Sequence, residues 1–94
     1  MSSPKRPVSY TLIVDLHFFE DLQWWVKTQP RIAKKILELV DDINRTPFAG
    51  MGKPERLKFL EGNPWSRRIT EEHRLVYRVD AACIYLLQCR YHYR

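Results

Sequence analysis

Apolar and charged residues alternate with period two over the last third of the chain. This predicts three consecutive short strands between turn-like breaks, Trp65 to Thr70, His73 to Val79 and Cys83 to about Tyr91. One phase carries Trp65 and Ile69, then Leu75, Tyr77 and Val79, then Tyr85, Leu87, Cys89 and Tyr91, and is the expected core face. The opposite phase carries Arg68, Arg74, Arg78, Arg90 and His92, interrupted by Val76, Ile84 and Leu86. A sheet with an apolar back and an arginine-rich front can hold a polyanion against a rigid surface.

Upstream, Tyr10 to Val14 has the β-branched and aromatic content of a strand, and Asp15 is placed to cap the helix that follows. Phe18, Phe19, Leu22, Trp25 and Val26 recur at helical spacing as a core stripe. Gln29-Pro30 breaks the pattern, and a second helix is predicted from about Arg31 to Asn44. Its inner face carries Ile32, Ile36, Leu39, Val40 and Ile43. Arg45 to Pro54 is an extended loop with two prolines and two glycines; it lacks the spacing of a phosphate-binding P-loop. Arg56 to Leu60 is a further short strand, with Leu57 and Phe59 inward and Arg56 and Lys58 outward. The predicted order is therefore β-α-α-β-β-β-β. This is an α+β fold with two helices packed on one face of a small twisted, mainly antiparallel sheet.

Ninety-four residues make one domain, and 45% apolar residues suffice for its core. Residues 1–8 form a polar, proline-containing tip expected to be flexible. The net charge of +5 is concentrated in the sheet half: residues 1–49 carry seven Lys/Arg against six Asp/Glu, and residues 50–94 nine against five. Cys83 and Cys89 sit roughly 20 Å apart in one predicted strand, too far to bridge, and read as buried free thiols of a reducing cytoplasm. Neither has the neighbours of a metal site, and no cofactor is expected. No apolar run has membrane-spanning length, and Tyr10 to Val14 is too short for a signal-peptide core.

Metal-free cleavage of RNA needs a base for the 2′-hydroxyl proton, cations for the charge developing on phosphorus and an acid for the departing 5′-oxygen. Lys58, Arg68, Arg74 and Arg90 offer the charge, with Lys53 in the loop beside them. His92 is a candidate acid, because imidazole titrates near neutral pH, and Glu55 is a candidate base. Tyr91 and Tyr93 are candidates for stacking on bases. On the residues alone, Glu55 reads first as a surface carboxylate paired with Arg56 or Lys58, and His92 as a residue near a chain end. Composition and spacing support a small basic α+β domain suited to RNA and stop there.

Three segments carry more. Arg45 to Lys58 (Arg-Thr-Pro-Phe-x-Gly-x-Gly-Lys-Pro-Glu-x-Leu-Lys), Trp65 to Tyr77 (Trp-Ser-Arg-Arg-Ile-Thr-Glu-Glu-His-Arg-Leu-Val-Tyr) and Cys89 to Tyr93 (Cys-Arg-Tyr-His-Tyr) resemble the YoeB toxins of the RelE/ParE superfamily. The resemblance runs from about Tyr10 and is dense after Arg45. It implies a ribosome-dependent mRNA interferase that cuts the A-site codon without metal, a YefM-type antitoxin as partner, a homodimer and a cytoplasmic location. It also implies Glu55 as general base, Arg74 as the phosphate-stabilising arginine, His92 and Tyr93 as terminal acid and aromatic, and Lys58 and Arg68 beside the scissile phosphate. Three features depart from the family pattern: Arg94 after the final tyrosine, Asn63-Pro64 before Trp65, and the N-terminal tip. Two alternatives stand beside this expectation. One is a non-catalytic module binding ribosomal RNA or operator DNA; the other is a ParE-like toxin acting on a topoisomerase, which has no use for Glu55 with His92.

Overall fold

A computed structural model describes residues 10–91; the N-terminal tip, His92, Tyr93 and Arg94 lie outside the described residues. The chain runs β1 (Thr11–Val14), α1 (Leu16–Thr28), α2 (Pro30–Arg45), β2 (Glu55–Arg56), β3 (Trp65–Arg68), β4 (Arg74–Asp80) and β5 (Cys83–Gln88). The sheet order is β1-β5-β4-β3-β2. β1 lies parallel to β5, and every other pairing is antiparallel. The two helices cover one face and share a core with the sheet, in which Phe18, Trp25, Ile36, Leu39 and Ile43 meet Ile69, Leu75, Tyr77, Ile84 and Leu86.

Local chemistry explains the helix ends. Asp15 takes an extended conformation and its Oδ1 accepts from the His17 N–H at 2.8 Å, which satisfies one orphan donor of α1. Gln29 ends α1, its N–H reaching the Trp25 carbonyl, and Pro30 opens α2 at a position where a missing N–H costs nothing.

In α1 the expected stripe is narrower than its aromatic content suggests. Phe18 and Trp25 are buried, but Phe19 and Val26 are exposed by 48% and 55%. They sit one position round the helix from the buried residues, a turn of about 100°. The place between Phe18 and Trp25 is taken by Asp21, buried because its carboxylate accepts the Cys89 N–H at 3.0 Å. Trp25 Nε1 donates to the carbonyl of the same Cys89 at 2.8 Å. Thus α1 completes the backbone pairing of the sheet just past the end of β5.

β5 departs further from the expected pattern. Ile84 and Leu86, not Tyr85 and Leu87, face the core, while Cys89 is buried as expected and Tyr91 is exposed. Tyr77 pairs with Leu86 but Val76 pairs with Gln88, so Leu87 is an extra residue in β5, a β-bulge. One inserted residue moves everything beyond it to the other face. A uniform period of two across Cys83–Tyr91 therefore is inverted before the bulge and agrees after it at Cys89, but not at Tyr91, where the backbone turns through a positive φ of 61°. Cys83 is half-buried, since its phase is opposite to that of Ile84.

The strand expected over Arg56 to Leu60 is also corrected. Only Glu55 and Arg56 pair with β3, opposite Ser66 and Trp65; the Leu57 N–H then bonds the Pro64 carbonyl and the chain turns away. Leu57 is buried, but Phe59, beyond the ladder, is 70% exposed. The return passes through Gly62 and Asn63, both in the left-handed region (φ 82° and 51°), before Pro64.

Candidate active site

Cross-strand register assembles the front face. Glu55 on β2 stands opposite Ser66 on β3, Ser66 opposite Val76 on β4, and Val76 opposite Gln88 on β5. Two residues along, Arg68 stands opposite Arg74. Residues directly opposite one another share a face, so Glu55, Ser66, Arg68 and Arg74 all lie on the side away from the helices.

Glu55 Oε1 is 3.5 Å from Arg74 Nη1, and the same Nη1 donates to Ser66 Oγ at 3.5 Å. The Arg74 side chain is 14% exposed and that of Glu55 62%. An ion pair with so open a carboxylate contributes about 0–1 kcal/mol, so Glu55 can exchange Arg74 for another partner at little cost. The Nε atoms of Arg68, Arg74 and Arg90 are buried and have no hydrogen-bond partner among the described residues. Arg68 and Arg74, directly opposite one another, set two guanidinium cations side by side on this face, a charge arrangement that suits phosphate oxygens.

Other residues expected at the site are placed differently. Lys53 and Lys58 are exposed on either side of β2, Lys53 at a positive φ of 51°. The Arg90 guanidinium lies 3.6 Å over the Trp24 ring, with the Tyr91 ring at 4.9 Å. His73 stands edge-on to Trp25 and its Nδ1 accepts the Tyr91 N–H at 2.7 Å. It braces the segment that leads to His92 and Tyr93, both outside the described residues.

The residue that organises the site from behind is Arg67, fully buried in β3. Its Nη1 donates to Asp42 Oδ2 at 2.6 Å and to the Met51 carbonyl at 3.0 Å. Nη2 donates to the carbonyls of Thr46 and Ala49 at 2.6 and 2.8 Å, and Nε to Tyr77 Oη at 3.2 Å. All five guanidinium donors are thereby used. Tyr77 in turn donates to the Pro47 carbonyl at 2.6 Å. The loop after α2 is thus tied to the sheet, and its Gly52 carbonyl accepts the Arg68 N–H at 2.6 Å.

Two ionisations respond to this network. Burial pushes the Asp42 carboxyl up, but the Met51 N–H, the Arg67 hydrogen bond and the charges of Arg67 and Arg45 together hold it below the usual carboxylate range. Burial pushes the Tyr77 phenol up, against the pull of Arg67. Gly50, at φ 112°, fits because a side chain there collides with the Asp42 carboxylate. Sequence reasoning passed over Arg67, Asp42 and Ser66. The available signal was phase: Arg67 lies between Trp65 and Ile69 on the core face of β3, and Ser66 shares the phase of Arg68.

The comparisons agree with this architecture. The family described as "YoeB-like toxin of bacterial type II toxin-antitoxin system" matches residues 14–93. Toxin YoeB of Escherichia coli K12 is 55% identical over 75 residues, covering 80% of this chain and 89% of that toxin. Among solved structures, a YoeB/ParE toxin from Agrobacterium tumefaciens superposes with a TM-score of 0.82 at 46% identity, over 88% of this chain and 99% of that one. Staphylococcus aureus YoeB, solved as a dimer and in a heterotetrameric YoeB-YefM complex, superposes with TM-scores of 0.79 and 0.78. Both are 42% identical and cover 89% of this chain and 98% of theirs. Two helices against this mixed sheet, with a basic front face, define a small toxin of the YoeB/RelE fold. The chain belongs to the YoeB-like toxins of bacterial type II toxin–antitoxin systems.

Proposed function

We propose that this toxin is an endoribonuclease that cuts mRNA in the ribosomal A site and so stops translation in the cytoplasm. The observation that carries the reading is the juxtaposition of the Glu55 carboxylate with Arg74 on the open face, Arg68 beside them in register. Glu55 takes the proton from a 2′-hydroxyl, whose oxygen attacks the adjacent phosphorus. Arg74 and Arg68 hold the charge that develops on the phosphoryl oxygens, and the bond from phosphorus to the 5′-oxygen breaks. His92 delivers a proton to that oxygen, with Tyr93 beside the reacting nucleotide; both roles rest on the sequence motif. The products are a 2′,3′-cyclic phosphate and a 5′-hydroxyl, and atoms balance without metal or cofactor. Lys53 and Lys58 extend the phosphate footprint along β2.

The Staphylococcus aureus YoeB-YefM complex and YoeB dimer support a YefM-type antitoxin as partner and a homodimeric state. The test is primer extension on a defined mRNA in purified ribosomes with an empty A site. Wild type is expected to cut at one place in the A-site codon. Glu55→Gln or Arg74→Ala is expected to lower the single-turnover rate by about 100-fold or more, with unchanged circular dichroism. Ribosome binding with no cut by wild type would instead favour a non-catalytic binding module.

A further inference from the structure

The front face carries a second surface beside the phosphate-complementary one. Val76, Leu87 and Pro64, with the exposed ring of Phe59, wall a groove of about 520 Å³, and buried Gln88 also lines it. The groove begins in the cross-strand row of Glu55, since Val76 pairs with both Ser66 and Gln88. It is therefore one row, two residues or roughly 7 Å, from the Arg68–Arg74 pair.

Charge separates the two surfaces. The arginine row suits phosphate, whereas the groove is lined by the carboxylates of Asp15, which also caps α1, and Glu61, which repel it, with His17 beside them. A groove with apolar walls and a carboxylate acceptor, adjoining the proposed phosphate site, suits a nucleobase and its amino edge.

We propose that this groove is a base-binding subsite for the nucleotide at the scissile phosphate. Phe59 supplies the stacking wall, and Glu61 favours bases bearing an exocyclic amino group over uracil. A carboxylate accepts readily from an amino group, as it does from the N4 amino group of cytosine, and it faces unfavourably the carbonyl oxygens that dominate the edge of uracil. The inference rests on the nuclease reading, and it adds what that reading leaves open, a physical source of codon preference. Phe59 and Glu61 are both exposed, so changing either leaves the core intact.

The experiment is the ribosomal cleavage assay with each A-site codon position varied in turn, comparing wild type, Phe59→Ala and Glu61→Gln. Phe59→Ala is expected to lower kcat/KM about tenfold or more, the size of one lost stacking contact, with the cut at the same phosphodiester. Glu61→Gln is expected to move the preference for adenine, cytosine or guanine over uracil toward unity at one codon position. Wild-type cleavage separates the two hypotheses. If wild type cuts while both variants keep its rates and base ratios, the groove proposal alone is overturned. If wild type makes no cut, the nuclease reading falls and the subsite falls with it.

Discussion

Arg67 and Arg68 are neighbours on one strand with opposite fates. Arg67 points into the helix-covered side, spends all five donors on Asp42, Tyr77 and three loop carbonyls, and is fully buried. Arg68 points to the open face, and its Nε has no partner among the described residues. The same side chain is a structural rivet on one face and a cation of the open face on the other. Strand pleating alone makes the difference.

The largest effect comes from breaking the first of these. Arg67→Met keeps most of the volume but strands Asp42 and three loop carbonyls, and breaking a buried pair by removing one partner costs about 3–5 kcal/mol. Arg68→Met removes a charge that has no ion-pair partner among the described residues and is expected to change stability by less than about 0.5 kcal/mol. Urea unfolding of both variants checks this. Equal midpoints would show that the buried network contributes no more than the open face. Because the loop carrying Gly52 is tied to the sheet by Arg67, whatever folded Arg67→Met remains should, on the proposed function, also cut mRNA more slowly.

A smaller effect appears with pH. Asp42 has its folded-state carboxyl held below the ordinary value, so its contribution is present above that ordinary value, near pH 4. It is lost as pH falls through the lower, folded-state value. Wild type should therefore lose stability below about pH 4 more steeply than Asp42→Asn, which starts less stable but lacks this proton uptake. Thermal midpoints between pH 6 and pH 2.5 measure the difference. Parallel curves would remove Asp42 as the acid-sensitive group.

The same contrast explains what could be read from the chain. Regular alternation placed Leu75 and Tyr77 inward and Arg68 and Arg74 outward, because β3 and β4 pair without interruption through that stretch. It misassigned Tyr85 and Leu87, because the bulge at Leu87 is a property of the pairing between two strands and leaves no mark in either one. Arg67 escaped notice for a different reason. An arginine at a core phase is costly in isolation, and only the loop that supplies its acceptors, folded from residues 46–51, makes it acceptable. The meeting of Glu55 with Arg74 depends on the β2–β3 and β3–β4 registers together; spacing could offer both residues as candidates, but only the family motif joined them.

Arg90 gives the smallest and most discriminating test. Sequence phase placed it with the arginines proposed to bind phosphate, yet its guanidinium lies 3.6 Å over the Trp24 ring, on a helix that packs on the opposite face from Glu55. A half-buried cation–π contact of this kind is worth about 0.5–1 kcal/mol, more if water is well excluded. Arg90→Ala should accordingly lower the melting midpoint by about 2–8 °C for a domain of this size. Truncation loses packing as well as charge, so the contact itself is isolated by a double-mutant cycle with Trp24→Ala. A coupling energy of about 0.5–1 kcal/mol makes Arg90 a staple between the end of the sheet and α1. A coupling near zero returns it to the basic surface, with Trp24 merely beneath its path.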